Sequence, residues 1–275
     1  MRAKVLMLGA MKGGVGKSVS SFNLAYSLQK LGKKVLAVDF DSQANLSTCF
    51  GVEEPATVPV TIGHLLMAQL EEEELPDAAE YIRSRKGVDF IPSSMMLSAV
   101  DAKLRLEMGA ERMLASVLEP LRERYDYIII DTCPSLGALT INALAAADEV
   151  IITVNPQLLA MMGLQDFLKT VRKIKNRINS GLKAAGILLT MCEERTNLCK
   201  TITEQITDVV MGKDIVLIYA IFTHDVSEKG YLKFKEKWNN TIKESGLDIR
   251  CEVYLLDLNN YVYFADEMEK LLNQI

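Results

Sequence analysis

A glycine-rich stretch near the beginning of the chain contains the residue types that bind phosphate. It reads GAMKGGVGKS from Gly9 to Ser18 and lies between a short apolar run and a helical pattern. Backbone N–H groups of such a loop turn toward phosphate oxygens, and the following helix N-terminus adds partial positive charge. Lys17 adds a full charge for the outer phosphates, and Ser18 offers a hydroxyl to Mg²⁺. We therefore predict a nucleotide-binding loop formed by Lys12, Gly13, Gly14, Val15, Gly16, Lys17, Ser18 and Val19.

This loop departs from the common pattern G-x-x-x-x-G-K-[ST] in two ways. Met11 occupies the position of the first glycine, and Lys12 is a second lysine that the pattern does not require. An ordinary strand-to-helix turn has no need for Lys17 and Ser18 together, so the loop still favours phosphate binding. Position alone gives Lys12 no role, and a solvent-exposed side chain beside the loop is one interpretation.

Three aspartates lie at the ends of predicted strands. Asp39 and Asp41 lie at the end of the apolar run that begins at residue 34, and Asp131 ends the run YIIID. In an open α/β sheet the carboxyl ends of the strands face the ligand crevice. Side-chain alternation puts Asp39 and Asp41 on the same side if the strand continues that far. The alternative is that these aspartates only cap helices.

Short apolar runs alternate with longer helical patterns along most of the chain. The runs cover residues 4–9, 34–40, 87–91, 127–131, 149–154 and 184–190, and the first helical pattern covers residues 17–31. Runs of this kind are typical of a parallel sheet that is buried on both faces. We predict an α/β fold of the P-loop NTPase class, with a mostly parallel central sheet flanked by helices on both faces in three layers.

Two stretches bear on the domain organisation. No linker composition is visible, so residues 1–275 are predicted to form a single domain. Residues 51–92 include four consecutive glutamates at 71–74 and interrupt the alternation of strands and helices. We predict that they form a solvated surface insertion.

Composition excludes several classes of protein. The 275 residues carry a net charge of −5, so nucleic-acid binding would need a local basic face. Five scattered cysteines without a C-x-x-C pair predict reduced thiols, and two histidines cannot form a His-rich metal site. No apolar run reaches the roughly 18 residues of a membrane span, and the N-terminus does not resemble a signal peptide. We therefore expect a cytoplasmic protein with no stable membrane insertion.

Three segments together resemble one known family. The loop K-G-G-V-G-K-S, with its extra lysine, resembles the deviant Walker A motif of the ParA/MinD group of P-loop ATPases. Residues 38–47, VDFDSQANLS, resemble the D-x-D-x-Q-x-N segment of the ParA/Soj branch, and residues 125–146 resemble its Walker B region. The resemblance covers roughly residues 1–210, and from about residue 211 the chain departs from the family pattern. The C-terminal part, 211–275, is therefore predicted to be a divergent βα extension of the same domain.

The resemblance implies a slow ATPase that uses ATP and Mg²⁺ and forms a homodimer when ATP is bound. It implies that Lys12 reaches across the dimer to the partner's phosphates and that Lys17 contacts the phosphates of its own chain. By the same resemblance, Asp41 orients and polarises the attacking water. The metal residues it implies are Ser18, Asp39 and Asp131, and the catalytic residues are Lys12, Lys17 and Asp41.

One motif differs from the family after the Walker B strand. The family has D-x-P-P, whereas this chain has Asp131, Thr132, Cys133 and Pro134 in succession. Cys133 is thus expected near the phosphates. It is interpreted as a tolerated small residue, with a redox-sensitive thiol as the alternative.

The resemblance also implies non-specific DNA binding by the ATP-bound dimer, and the sequence contains candidate basic faces. The first follows one predicted helix and comprises Lys169, Arg172, Lys173, Lys175 and Arg177. The second comprises Lys229, Lys233, Lys235, Lys237 and Lys243. Such lysines and arginines would give salt-sensitive, sequence-independent affinity, although solvated helix faces often have the same composition. The partner implied by the family is a ParB-like DNA-bound activator, and the location implied is the nucleoid.

Two other functions remain open from the sequence. One is a positioning ATPase with the same dimer switch and a protein or membrane cargo, and the other is a nucleotide-binding regulator without useful hydrolysis. The C-terminal residues 261–275 are amphipathic but contain three acids and one lysine, which favours a core-packing helix over one that binds an anionic membrane.

Overall fold

A computed structural model gives the fold of the chain. The structure describes residues 2–157, 159–191, 197–210, 216–223 and 251–257.

Nine strands of the described residues form one sheet. Their order across the sheet is β3-β4-β2-β5-β1-β6-β7-β8-β9. All neighbouring pairs are parallel except β3 and β4, which are antiparallel. The strands are β1 Lys4–Gly9, β2 Val35–Phe40, β3 Arg83–Arg85, β4 Val88–Ile91, β5 Tyr127–Thr132, β6 Glu149–Val154, β7 Lys183–Leu189, β8 Val216–Thr223 and β9 Cys251–Asp257.

Helices connect the strands and cover both faces of the sheet. They are α1 Lys17–Lys30, α2 Asn45–Cys49, α3 Ile62–Leu70, α4 Ala78–Tyr81, α5 Met96–Leu104, α6 Met113–Leu118, α7 Ala138–Ala146, α8 Ala160–Arg177 and α9 Asn197–Val210. Short 3₁₀ turns lie at Pro55–Thr57, Ala110–Arg112 and Glu119–Leu121. None of the helices described here combines the length and the apolar character needed to cross a bilayer.

Side-chain alternation along the strands divides the core into two layers. On β1, Val5 and Met7 belong to a large cluster that includes buried residues of α3 and α5 to α9. Leu6 and Leu8 point to the other side, where they pack with α1 and α2. Both faces of the strands are buried because successive side chains point to opposite faces of the sheet. The predicted α/β class with three layers is confirmed.

The predicted elements agree closely with the observed ones, with two exceptions. All six predicted strands are present with ends within one residue, and the helix predicted at 17–31 is α1. The edge strand β3 was not predicted. The surface insertion predicted at 51–92 is wrong in part, because Ile62, Leu65 and Leu66 of α3 are buried in the large cluster. The glutamates at 71–74 are exposed, as expected.

The C-terminal part extends the same sheet. Strand β8 pairs in parallel with β7, and β9 pairs in parallel with β8. Both strands lie in the part of the chain, 211–275, that was predicted to be a divergent βα extension. The second basic cluster at 229–243 and the final helix predicted at 261–275 lie outside the described residues. The single domain over 1–275 stays a prediction.

Candidate active site

The glycine-rich loop connects the end of β1 to the beginning of α1, as the sequence predicts. Gly14 and Gly16 have φ angles of 72° and 76°, in the left-handed region that a side chain disfavours. Gly16 is the N-cap of α1 and provides no side-chain hydrogen bond to the first turn, which also lacks an acidic residue. The N-terminus of α1 thus has neither a side-chain cap nor an acidic residue, so its N–H groups are available to bind an anion.

Two threonines hold the loop against the sheet. Thr190, which follows β7, donates its hydroxyl to the carbonyl oxygen of Val15 at 2.7 Å. Thr132, at the end of β5, donates its hydroxyl to the carbonyl oxygen of Leu8 at 3.0 Å. All four residues are buried. These bonds fix both ends of the loop, so that the N–H groups between them are preorganised.

Lys17, the lysine that the common pattern requires, is buried against an aspartate. Lys17 Nζ lies 2.9 Å from Oδ1 of Asp131, and their side chains are 7% and 0% exposed. Ser21, one helical turn after Lys17, donates its hydroxyl to the same Oδ1 at 2.9 Å. The other oxygen, Oδ2, is buried and has no hydrogen-bond partner among the described residues. An unpaired buried acceptor of this kind needs a donor, such as a water bound to a cation.

The site fits Mg²⁺ held together with a nucleotide. Mg²⁺ takes oxygen ligands, keeps several waters and leans on phosphate oxygens instead of an all-protein cage. Ser18 is half-buried at the start of α1, and the free Oδ2 of Asp131 is an acceptor for a metal-bound water. No group of three or more histidine, cysteine, aspartate or glutamate side chains in the described part of the chain could hold a metal by itself. Ser18 and Asp131 would therefore act with waters and phosphates.

Asp39 lies beside Asp131 on the neighbouring strand. The two residues are paired in the register of β2 and β5, and Asp39 is 1% exposed. Burial, and then the charge of Asp131, raise the pKa of Asp39 to about 7, although hydrogen bonds from Ser47 and from the Asp41 backbone lower it. Both Asp39 oxygens accept hydrogen bonds, Oδ2 from Ser47 and Oδ1 from the N–H of Asp41. Asp39 is thus suited to an outer position around a metal.

Asp41 is the first residue after β2 and interacts electrostatically with Lys17 and Asp131. It is 4% exposed, and its Oδ1 accepts the N–H of Gln43 at 3.0 Å. Burial raises the pKa of Asp41, which the Gln43 bond and the charge of Lys17 oppose. A carboxylate with a raised pKa accepts a proton more readily, which suits a group that polarises water.

Lys12 and Met11 contact the segment that leads into α8. Lys12 is exposed, and its Nζ donates to Oε1 of Gln157 at 2.7 Å. A Cβ added to Gly163 on α8 would lie 3.0 Å from Cβ of Met11. The loop therefore accommodates Met11 because α8 has a glycine facing it. The Lys12 side chain therefore lies on the surface, where it bonds Gln157 and not a group of its own loop.

The comparisons with known proteins agree with this geometry. A family model described as AAA domain matches residues 3–184. The sporulation initiation inhibitor protein Soj of Bacillus subtilis is 37% identical over 203 residues, which are 74% of this chain and 78% of Soj. The chain belongs to the ParA/Soj family of partitioning ATPases. As a ParA/Soj-type protein it is an ATP hydrolase.

Two solved structures that this chain resembles contain a bound ATP analog or AMPPNP. Cobyrinic acid a,c-diamide synthase from Mycobacterium smegmatis, with a bound ATP analog and magnesium, is 30% identical with a TM-score of 0.68, covering 75% of this chain and 80% of that one. A protein from Borrelia burgdorferi B31 described as a plasmid partition protein, bound to AMPPNP, is 26% identical with a TM-score of 0.69. That match covers 100% of both chains.

The cysteine that departs from the ParA/Soj motif lies next to the loop. Cys133 is half-buried, and its Sγ lies 3.3 Å from the hydroxyl of Ser135 and 3.9 Å from that of Thr140. The neighbouring Pro134 is 3.8 Å from the position of a Cβ added to Gly13. The Walker B region of this ParA/Soj-type ATPase thus borders the loop, as the sequence predicts. The choice between a tolerated residue and a redox-sensitive thiol stays open.

The first predicted basic face of this ParA/Soj-type ATPase lies on the solvent side of α8. The helix buries Leu164, Phe167, Val171 and Ile174 against the core. Lys169 forms an exposed ion pair with Asp166 at 3.0 Å. The residues predicted to contact DNA are all exposed, namely Lys169, Arg172, Lys173, Lys175 and Arg177. Their placement on one helix follows the prediction, and their contact with DNA stays a prediction.

Several polar residues of the site were not predicted. Ser21, Ser47, Thr190 and Gln157 each bond a residue of the nucleotide site or its loop. For Ser21 the signal was its place one helical turn after Lys17. Ser47 ends the segment 38–47 but lies outside its D-x-D-x-Q-x-N pattern, and Thr190 and Gln157 belong to no local motif.

Proposed function

We propose that this ParA/Soj-type ATPase forms a homodimer around ATP, hydrolyses it slowly, and in the ATP-bound state binds DNA without sequence preference to drive DNA partitioning. ATP and Mg²⁺ are its cofactors. The observation that carries the proposal is that the two lysines of one loop differ in burial and in hydrogen-bond partner. Lys17 is buried on Asp131, whereas Lys12 is exposed and bonds Gln157.

Nucleotide binding would use groups that are already in place. The preorganised N–H groups of the loop and the positive end of α1 would hold the phosphates. Lys17 would exchange its contact with Asp131 for the outer phosphate oxygens, which leaves Asp131 available to accept hydrogen bonds from water. Bound Mg²⁺ would neutralise the charge that develops on those phosphates. Ser18, Asp39 and Asp131 are the residues proposed to hold it.

Hydrolysis would depend on Asp41. Phosphoryl transfer is catalysed mainly by positioning and electrostatic stabilisation, with little covalent chemistry for the protein to perform. Asp41 would orient the attacking water and draw on one of its protons. None of the described residues assigned to this site is a histidine. Slow turnover follows, and it suits a protein whose bound state is used as a switch.

Lys12 would act between two copies of the chain. Two triphosphates brought face to face repel each other, and a lysine contributed by each copy offsets that charge. Lys12 is suited to this because its ammonium is exposed and its bond within the chain is to Gln157, a neutral amide. Such a bond is readily exchanged for one to a phosphate.

DNA binding is proposed for the basic face of α8. A dimer presents two such faces to one duplex, so that each additional phosphate contact adds affinity. This gives a physical reason for ATP to control DNA binding. A ParB-like DNA-bound protein is the proposed activator of hydrolysis. The proposed location is the cytoplasm, on the nucleoid when DNA is bound.

The proposal is tested by binding to a random-sequence duplex with ATP, with ADP and without nucleotide, at low and moderate salt. We expect binding in the presence of ATP but not with ADP or without nucleotide. The affinity should fall steeply as the salt concentration rises. Arg172→Glu on α8 should weaken it at least about tenfold, because a phosphate contact becomes a repulsion. Arg83→Glu, on the exposed edge strand β3 at the opposite side of the sheet, is the matched control. ATP-dependent dimers that bind no DNA would instead indicate a protein or membrane cargo.

A further inference from the structure

Ser47 is a buried serine of α2 with an unusual set of hydrogen bonds. It is 0% exposed and lies eight residues after Asp39. Its backbone N–H and its hydroxyl both lie 2.7 Å from the same oxygen, Oδ2 of Asp39. Two short donors on one oxygen restrict rotation of the carboxyl group, because any rotation lengthens at least one of them.

The direction of the Ser47 hydroxyl is also determined. The N–H of Ser93, a buried residue that follows β4, donates to Oγ of Ser47 at 3.0 Å. A hydroxyl has a single proton to donate, and here its acceptor side is used by Ser93. The proton of Ser47 is therefore directed to Asp39. A chain of bonds thus runs from the end of β4 through Ser47 to the end of β2.

The orientation of Asp39 affects the residue proposed to act on water. With Oδ2 held by Ser47, Oδ1 accepts the backbone N–H of Asp41 at 3.3 Å. Asp39 also lies beside Asp131 in the strand register, and two buried carboxylates repel each other. Without the Ser47 hydroxyl, only the backbone N–H of residue 47 would oppose this repulsion, and the Asp39 carboxylate would turn away from its position. Asp41 would then lose its backbone bond.

We propose that Ser47 is a positioning residue for ATP hydrolysis, which fixes the Asp39 carboxylate in the outer magnesium shell and thereby holds Asp41 in place for the attacking water. This inference rests on the roles proposed above for Asp39 and Asp41. A purely structural role would lower stability and nucleotide binding together. A positioning role lowers turnover and the use of magnesium while nucleotide binding without metal is retained.

The test compares variants of Ser47 in steady-state hydrolysis and in magnesium titrations. Ser47→Ala should lower kcat about tenfold, since one hydrogen bond to a charged group is lost. It should raise the half-saturating Mg²⁺ concentration several-fold and leave KM for ATP within about twofold. ADP binding in EDTA should be unchanged. Ser47→Cys, which keeps the shape but donates weakly, should show the same defect, and Ser47→Thr should restore activity.

A matched control lies on the same helix. The hydroxyl of Thr48 bonds the carbonyl oxygen of Ala44 at 3.0 Å and does not reach Asp39, so Thr48→Ala should behave as the wild type. Wild-type kcat and magnesium dependence in Ser47→Ala would overturn the inference, as would an equal loss of ADP binding in EDTA. The variant Asp39→Asn distinguishes the proposed role of Asp39 from that of Ser47. Normal magnesium dependence in that variant would refute the role of Asp39 itself, whereas a defect in it beside a normal Ser47→Ala would refute only the role of Ser47.

Discussion

Lys17 and Asp131 form a buried ion pair that joins the nucleotide loop to the end of β5, with Nζ 2.9 Å from Oδ1. The pair occupies the place where both residues are expected to meet phosphate and metal. Asp131 thus holds Lys17 within the site before a nucleotide binds, and a nucleotide has to replace one charge-assisted bond with others. The same pair supports the nucleotide-free fold.

Removing Lys17 should therefore affect both binding and stability. Lys17→Ala should abolish nucleotide binding, because the loop loses its full positive charge. It should also lower the free energy of unfolding by about 3 kcal/mol without nucleotide, since Asp131 is left buried and unpaired. Urea unfolding and titration with a fluorescent nucleotide measure the two effects.

The control for this prediction is an exposed pair of similar length. Lys103 and Glu71 lie 2.8 Å apart with side chains that are 54% and 48% exposed. Lys103→Ala should cost less than about 1 kcal/mol, because solvent screens such pairs. Equal losses of stability in the two variants would contradict the importance given to the buried pair.

Asp41→Ala should separate binding from hydrolysis. ATP binding should persist, because Asp41 lies outside the loop that holds the phosphates. Turnover should fall at least about a hundredfold, the usual contribution of a group that assists proton transfer. Phosphate release at saturating ATP is the measurement, with Asp41→Asn as the variant that preserves shape. Unchanged turnover would remove Asp41 from the mechanism.

The raised pKa of Asp39 predicts a pH-dependent contribution to stability. Its pKa is about 7 in the folded chain and 3.8 as an isolated group, so between these values the folded state binds the proton more strongly. The contribution of Asp39 to the free energy of unfolding is therefore greatest below pH 3.8. It declines as pH rises and is lost once pH has passed about 7. The loss should be on the order of a few kcal/mol.

Unfolding of the nucleotide-free protein from pH 5 to pH 8 tests this sign. Other carboxylates contribute their own pH dependence, so the difference between wild type and Asp39→Asn isolates the contribution of Asp39. The wild type should lose stability relative to Asp39→Asn as pH rises. Parallel profiles for the two proteins would show that Asp39 is ionised with an ordinary pKa.

Lys12→Ala should keep nucleotide binding and weaken ATP-dependent dimerisation. Lys12 is exposed, and its hydrogen bond among the described residues is to the neutral amide of Gln157, so its loss leaves the rest of the loop intact. Light scattering with ATP and with ADP measures the dimer. Gln157→Ala removes the partner of Lys12 but not its charge, and it should dimerise as the wild type does. Normal dimerisation of Lys12→Ala would refute a role across the dimer.

The sequence predicts the parts of this protein that local patterns specify. The nucleotide loop is contiguous, and Asp39 and Asp131 lie at the ends of apolar runs that are typical of buried strands. Strand β3 escaped prediction because its three residues, Arg83, Ser84 and Arg85, are exposed and contain no apolar alternation. The burial of α3 was missed because its short apolar face lies next to a run of glutamates.

Local sequence patterns do not predict the hydrogen bonds that support the site. Ser21 and Asp131 are separated by 110 positions, and Thr190 and Val15 by 175. Only the order of strands in the sheet brings such residues together, because it places β5 and β6 beside β1 and β7 next to β6. A serine or threonine is also common on any helix or loop, so its residue type alone does not indicate a role.

The most direct test of the account mixes two inactive variants. In a mixed dimer of Lys12→Ala and Asp41→Ala, the Lys12→Ala chain keeps its own Asp41 and receives Lys12 from its partner. If Lys12 acts across the dimer, each variant alone should hydrolyse ATP poorly. At protein concentrations high enough to pair all chains at random despite the weaker dimerisation of Lys12→Ala, an equimolar mixture should then regain about a quarter of the wild-type rate, because half the dimers are mixed and each has one complete site. A mixture no more active than the average of the two variants, although mixed dimers form, would show that Lys12 serves its own chain and would contradict the account.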